Sequence, residues 1–254
     1  MNKQFKNLKT LYIYIYIYMP YSQLWLNNLK KRNNINEKVI IFDVGSADGN
    51  EFINLSHNND IEIYAFEPLP KQFEIIKKKT KGLKNFNVYN LAVSNYEGKS
   101  NFNVCSDINF RTSSLKKYDN KANTTWKHCW SGRFKDTKIT DEWKFIKQIE
   151  VNVIRLDKFM NKNNIQLIHY LHCDTQGNDF EVIKDLVEQK KIIEGVIECN
   201  TFDDRPLYEN QKSVNFVEKF LKKNNYSIIN KIEQATDKNL KRGLETNLFF
   251  KLIQ

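Results

Sequence analysis

The stretch VIIFDVGSADGN, residues 39–50, carries an apolar run into an acid and then through a glycine-bearing turn, and YAFEP, residues 64–68, ends a second apolar run in Glu67. An apolar strand, a glycine turn and an acid at the end of the next strand, roughly 20 residues on, is the spacing of a nucleoside-binding α/β unit. Gly45 lets the chain reverse sharply after the first strand, and Ala47 and Gly49 keep side chains clear of a ligand lying over the turn.

The details choose among ligands. A dinucleotide site wants G-x-G-x-x-G, and counted from Gly45 the last glycine position falls on Asn50. Asp48 would also bring negative charge towards a pyrophosphate. S-adenosylmethionine has no phosphate and carries a sulfonium cation, so acids near the turn are tolerable or helpful. Glu67 can accept hydrogen bonds from both ribose hydroxyls. The competing explanation is a tight turn between buried elements with no ligand; Glu67-Pro68 at this distance favours the cofactor site.

The whole chain has 254 residues, 41% of them hydrophobic, and a formal charge of +10 from 40 Lys and Arg against 30 Asp and Glu. That length suits one large α/β domain with an appendage. The charge admits a nucleic acid or another acidic partner. Short lysine runs on expected helices, such as Lys77-Lys78-Lys79 and Lys222-Lys223, read first as solvated faces. Cys105, Cys129, Cys173 and Cys199 show no C-x-x-C and no zinc-module spacing, so a reducing, cytoplasmic compartment is expected, without metal.

Residues 1–35 read as an N-terminal low-complexity and helical extension. TLYIYIYIY at 10–18 is too short to span a bilayer, Met19 is a candidate true start, and Ser22 to Lys31 forms a short amphipathic helix. Residues 36–254 form the main domain, with an insert at about 105–148. Strands are expected at 39–43, 61–66, 85–94, 167–174 and 195–200, with helices near 48–57, 70–80 and 178–189. Residues 149–160 read as a strand leading into a short helix. SVNFVEKFLKKN is an amphipathic helix, and YSIINKI and NLFFKLI close the chain as a strand pair. The alternation predicts an α/β sheet of about seven strands, mostly parallel with an antiparallel last strand, whose ligands sit outside the strands' carboxyl ends.

FDVGSADGN, AFEPLP, LAVSNYEGKSNF, RTSSL, VNVIRLDKFM, LHCDTQGNDFEVI, VIECN and RPLYENQKSVNFVEKFLKKNNYSII, in this order, resemble the FkbM-type methyltransferases from about Val39 to Lys251. The resemblance implies a Rossmann-like class I fold, S-adenosylmethionine as cofactor and O-methylation of a sugar, glycan or related hydroxyl. It puts Asp43, Gly45, Ala47 and Gly49 in the methionine-side turn, Glu67 with Pro68 at the ribose, and Ala92-Val93 by the adenine. Asp174, Gly177 and Asp179 fall on motif positions. A lysine is usual two residues before the aspartate; here that residue is His172, which can titrate near neutral pH.

A hydroxyl acceptor needs its proton taken, so a general base is expected. Asp174 at the end of its strand is the first candidate, with His172 on the same strand face as base or orienter. Each has a structural alternative, as a turn acid and a core histidine. Glu198 is expected to hold an acceptor group or a cation, or to be a buried strand-end acid. In the insert, Trp126, His128, Trp130, Arg133 and Trp143 offer faces for a carbohydrate-like acceptor, with Trp126 and Trp130 as substrate contacts, or else anchor a flap. Ser113 and Ser114 either contact substrate or bond the loop. An RNA acceptor and a non-catalytic cofactor-binding role are the alternative functions, and no stable membrane span is expected.

Overall fold

The computed structural model describes residues 21–107, 109–126, 143–237 and 239–253. Met19, the Tyr–Ile repeat, His128, Cys129, Trp130 and Arg133 lie outside the described residues.

The elements run α1 (Gln23–Arg32), β1 (Val39–Val44), β2 (Ile61–Phe66), α2 (Pro70–Lys79), β3 (Phe86–Tyr89), β4 (Ala92–Val93), β5 (Gly98–Cys105), α3 (Ala122–Thr125), β6 (Phe145–Ile154), α4 (Leu156–Lys162), β7 (Ile168–Cys173), α5 (Asp179–Glu188), β8 (Ile192–Asn200), α6 (Val214–Lys223), β9 (Tyr226–Asp237) and β10 (Arg242–Leu252). Seven strands form one sheet in the order β3-β2-β1-β7-β8-β10-β9, and β4, β6 and β5 form a second, smaller sheet. From β3 to β8 all neighbours are parallel, and β10 is antiparallel to both β8 and β9. This is the mostly parallel, Rossmann-like sheet expected from the sequence.

Both faces of the sheet are covered, which is why its central strands are almost continuously apolar. On one face Phe42, Leu171 and Ile197 pack with Val182, Ile183 and Leu186 of α5 and Val217 and Leu221 of α6. On the other, Val39, Ile41, Tyr170 and Phe249 meet Trp25, Leu26 and Leu29 of α1. Ser22 caps α1 by accepting from Trp25 N at 3.3 Å. Each of those fully buried α1 side chains stabilises the fold by roughly 1.5–3 kcal/mol. Tyr21, Trp25, Leu26, Leu29 and Ile35 therefore pack into the hydrophobic cluster on this face of the sheet.

Two expected elements come out differently. Residues 48–57 hold only a short 3-10 turn at Ile53–Leu55 in place of a helix. Gly49 has a φ of +71°, and Asp48 accepts from Asn50 through both its backbone and side chain, which fixes a turn. Phe52 and Leu55 are buried three residues apart, so their spacing imitates a helical face. The strand expected over 85–94 breaks at Asn90. Its side-chain amide donates to the carbonyls of Glu67 (2.9 Å) and Pro68 (3.0 Å), and the chain then joins β6 of the smaller sheet as β4.

Among the described residues, no helix is long and apolar enough to cross a membrane. Cys105, Cys173 and Cys199 are free and buried.

Candidate active site

The turn after β1 is built by backbone geometry. Gly45, Ala47 and Gly49 have φ of +83°, +52° and +71°. The amides of Gly45 and Ser46 both donate to the Phe66 carbonyl, at 3.0 and 3.1 Å. A Cβ on Gly45 would lie 1.9 Å from the carbonyl oxygen of Asp174, so the turn and the end of β7 touch through the missing side chain. Glu67 locks the turn from the next strand, accepting from Ala47 N through Oε2 and from Leu69 N through Oε1, both at 2.8 Å. Burial lifts the Glu67 pKa against these two amides, and the charge of Asp43 adds to the rise, to about 8.

Two clefts open at the carboxyl ends of the strands. The first is walled by Phe66, Leu69, Leu91, Ala92, Phe102 and Leu115, with Glu67, Pro68, Asp174 and Thr175 on its rim. It fits S-adenosylmethionine: apolar walls for a flat base, a carboxylate for ribose hydroxyls, and an acid near a sulfonium. Among the described residues, Thr175 Oγ1, buried on this cleft, meets no oxygen or nitrogen hydrogen-bond partner. Of the expected cofactor residues, Gly45, Ala47, Glu67, Pro68, Ala92 and Asp174 line this cleft. Asp43 and Gly49 do not. Asp43 is fully buried beneath the turn. A Cβ on Gly49 would meet Ile76 of α2 at 2.9 Å, so this glycine serves close packing of turn on helix.

The second cleft lies on the α1 side of the sheet ends, bordered by Glu51, His172, Glu198, Gln234 and Asn247, with Tyr21, Val196, Ile232 and Phe249 as its apolar part. Gly45, Ala47, Arg111 and Asp174 line both clefts. Asp174 Oδ1 accepts from Gln176 Nε2 at 2.6 Å.

His172 pairs with a different acid from the one expected. Asp43, His172 and Val196 lie in one row across the sheet, and His172 Nδ1 bonds Asp43 Oδ1 at 2.9 Å. Burial alone would lower the His172 pKa; the hydrogen bond and charge of Asp43, with the charges of Glu51 and Asp174, more than offset it and hold the pKa up at about 9. The imidazole is therefore cationic at neutral pH, and the charge that a lysine would bring at this position is present.

The insert is tied down by its own polar groups. Ser113 Oγ accepts from Cys105 N (2.9 Å), and Ser114 Oγ donates to the Gln176 carbonyl (2.6 Å), which is a loop-bonding role for both serines. Tyr208 reaches from the RPLYEN segment, its hydroxyl placed to donate its one proton to Gln176 Oε1 at 2.8 Å or to the Thr112 carbonyl at 3.1 Å. A Cβ on Gly177 would lie 2.5 Å from Tyr208 Cβ, so glycine is what lets that ring lie on the β7–α5 loop. Trp126, expected to meet substrate, is instead fully buried among Ala122, Leu207, Tyr208 and Leu244, its indole N–H donating to the Arg205 carbonyl at 3.1 Å. It borders neither cleft, and its place is that of an anchor.

The methyltransferase FkbM domain profile matches residues 43–228, which include the turn, Glu67, His172, Asp174 and Glu198. The chain belongs to the FkbM methyltransferase family. It is an S-adenosylmethionine-dependent methyltransferase. Among solved structures this FkbM methyltransferase is similar to TrmK of M. capricolum in complex with S-adenosyl-homocysteine, at 15% identity over 91% of this chain and 69% of that one, with a TM-score of 0.44. It is similar to an S-adenosylmethionine-dependent methyltransferase from Clostridium acetobutylicum, at 11% identity over 98% and 100% of the two chains, TM-score 0.44. It is also similar to the N-terminal domain of EvdMO1 with S-adenosyl-homocysteine bound, at 6% identity over 92% and 82%, TM-score 0.45. No curated protein matches the chain.

Several residues on the clefts escaped the sequence reading. Arg111, which lines both and pairs with Asp48 at 2.9 Å, sat in a quoted motif without a role. Glu51 follows the turn as an unremarkable polar residue. Gln234 and Asn247 reach the second cleft only through strand register, which places Asn247 opposite both Glu198 and Ile232.

Proposed function

We propose that this FkbM methyltransferase methylates a hydroxyl of a carbohydrate-like acceptor lying in the second cleft, with Asp174 as the general base. The observation that carries this reading is the shared wall: Asp174 borders both clefts beside Gly45, so one acidic residue stands between the cofactor side and the acceptor side. When bound, the cofactor supplies an electrophilic methyl group on a sulfonium cation. Gly45, Ala47, Glu67, Pro68 and Ala92 would hold it.

The chain's own part is positioning and proton transfer. A hydroxyl in the second cleft gives its proton to Asp174 as its oxygen attacks. His172, cationic and fixed by Asp43, is a positioning group beside that base. It orders the carboxylate side of the cleft and cannot take a proton at neutral pH. Glu198 faces the acceptor, and Gln234 and Asn247 offer amide donors and acceptors suited to a hydroxyl-rich ring. An RNA acceptor fits this cleft poorly, since Glu51, Asp174 and Glu198 would face its phosphates.

The test is transfer of labelled methyl from S-adenosylmethionine to a panel of glycans and monosaccharides, with Asp174→Asn compared. Alkali-stable label on oxygen in the wild type, with a kcat lower by about 10²–10⁴ in the variant, is the expected result. Label on nitrogen or carbon, or a kcat unchanged in Asp174→Asn, would overturn the reading.

A further inference from the structure

The inner end of the second cleft has a charge arrangement that a neutral sugar does not complete. Val196 and Glu198 of β8 stand opposite Phe249 and Asn247 of β10, on one face of the sheet. Glu245, two residues before Asn247, projects to the same face beside Glu198 and is half-buried. Glu198 is only 8% exposed. No N–H or O–H of the described residues donates to its Oε1, and its polar neighbour is the other carboxyl, Glu245. Burial, followed by the charge of Glu245, pushes the Glu198 pKa well up, and burial with the charges of Asp174 and Asp179 lifts Glu245 to about 8.

The cations nearby are already engaged. Arg111 pairs with Asp48 at 2.9 Å and His172 with Asp43 at 2.9 Å. That leaves Glu198 on the cleft wall, and Glu245 beside it by strand register, without a salt-bridge partner among the described residues. Two carboxyls side by side out of water cannot both ionise unless a cation joins them. A hydroxyl would satisfy one oxygen and leave the pair protonated. A metal ion would need a third ligand, and no group of three suitable side chains is arranged for one among the described residues. A primary ammonium carries the charge that lets the pair ionise and three N–H donors, enough for Glu198, Glu245 and the Asn247 side-chain oxygen.

We infer that the Glu198–Glu245 end of the acceptor cleft is a subsite for a primary ammonium group, so that the acceptor is an amine-bearing hydroxyl compound such as an amino sugar. The inference rests on the reading that the acceptor occupies the second cleft. The phosphate of a nucleotide-linked sugar would be repelled from this end.

The test uses the full chain saturated with S-adenosyl-homocysteine and three probes at pH 7, D-glucosamine, N-acetyl-D-glucosamine and D-glucose, with affinities from ligand-observed NMR. Glucosamine should bind at least about tenfold more tightly than either neutral probe. Glu198→Gln and Glu245→Gln should each remove most of that preference while S-adenosyl-homocysteine affinity, read on the same samples, stays within about twofold. Equal binding of the three probes, no binding of any by cofactor-loaded protein, or a preference that survives both substitutions would overturn the subsite and identify a carboxyl pair that merely shares a proton. Displacement of glucosamine by millimolar Mg²⁺ through the same two residues would also overturn it, in favour of a metal. None of these results depends on turnover, so absence of O-methylation in the glycan panel would sink the earlier reading and leave this one to stand or fall by itself.

Discussion

The two clefts share a wall at Gly45 and Asp174 and are otherwise unlike. The proposed cofactor cleft is walled largely by apolar side chains, and its buried acid, Glu67, accepts from two backbone amides that fix the turn. The proposed acceptor cleft is lined by Glu51, His172, Asp174 and Glu198, three of them acids, in a protein whose overall charge is +10. The basic surface therefore says little about the acceptor. Charge across a whole surface affects encounter and solubility, whereas recognition follows the groups that line the cleft, here carboxyls and amides beside the His172 cation. One cleft is shaped largely by a backbone turn and apolar walls. The other is a polar face whose groups are set by strand register.

The shared wall is where the comparison breaks most easily. Gly45→Val puts a branched side chain at a φ of +83° and against the Asp174 carbonyl at 1.9 Å. The cost is on the order of 3–5 kcal/mol, and S-adenosyl-homocysteine binding should vanish with it. Gly82→Ala is the control, because Gly82 also has a positive φ, +89°, with nothing within 4 Å of its added Cβ. It should cost only about 1 kcal/mol, measured by urea unfolding, and leave binding intact. Equal losses in the two variants would mean that the conformation alone matters and that the close approach of turn to β7 does not.

The acceptor side breaks through charge. His172 has its pKa raised from 6.5 to about 9 by Asp43 against the effect of burial. A basic group held up in this way adds stability that is complete below the unfolded pKa near 6.5 and is lost as pH rises through about 9. Asp43→Asn removes the charge, so the imidazole pKa should fall and stability at pH 7 should drop by on the order of 3 kcal/mol. Wild-type stability should decline between pH 7 and 10, and that of the variant should be nearly flat. NMR titration of the His172 ring with urea unfolding across this range checks both. A ring that titrates near 6.5 in the wild type would remove the cation from the site and restore His172 as a candidate base.

How far the sequence foretold the molecule divides along the same line. The first cleft is made where strands end, so the residues that line it, Gly45, Ala47, Glu67, Pro68 and Ala92, fall in short motifs at fixed spacing. The acceptor cleft joins Tyr21, Glu51, Gln234 and Asn247 to β8. Gln234 and Asn247 arrive through an antiparallel pairing whose register no local pattern announces, and a one-residue slip would turn them to the other face. Both also lie outside the span that matches the family, residues 43–228. His172 was visible on the correct strand face, but its partner was not. Asp43 lies in the adjacent parallel strand, and the pairing Asp43–His172 depends on β1 and β7 being neighbours. Trp126 misled because an aromatic in a polar insert reads equally as a platform or an anchor; burial against Leu207 and Tyr208 decides between them.

Within the cofactor cleft, Glu67→Gln sharpens the contrast with a smaller effect. The amide keeps one of the two acceptors used by Ala47 N and Leu69 N, so stability should fall by only about 1 kcal/mol. A ribose hydroxyl donates more strongly to a carboxylate than to an amide or a protonated acid. With the Glu67 pKa near 8, cofactor affinity in the wild type should rise between pH 7 and 9, and in the variant it should be about tenfold lower and flat. Calorimetry at the two pH values decides; a variant with the same slope as the wild type would place the titrating group elsewhere, and one with undiminished affinity would confine Glu67 to holding the turn.

The smallest effect is expected at Trp126, and it tests where the acceptor side ends. Trp126→Phe keeps most of the buried ring and deletes the N–H that donates to the Arg205 carbonyl at 3.1 Å. One unmade hydrogen bond costs about 1 kcal/mol, and the loosening should be confined to the contact of α3 with the 202–208 segment. Cofactor affinity and the acceptor KM should not move, because the ring borders neither cleft. The informative alternative is the reverse pattern, an unchanged stability with a raised KM. That would make the ring part of the acceptor surface in the working enzyme and extend the second cleft from the sheet edge into the insert. Amide exchange in residues 118–126 and 202–208, read beside the KM, separates an anchor that has slackened from a platform that has been removed.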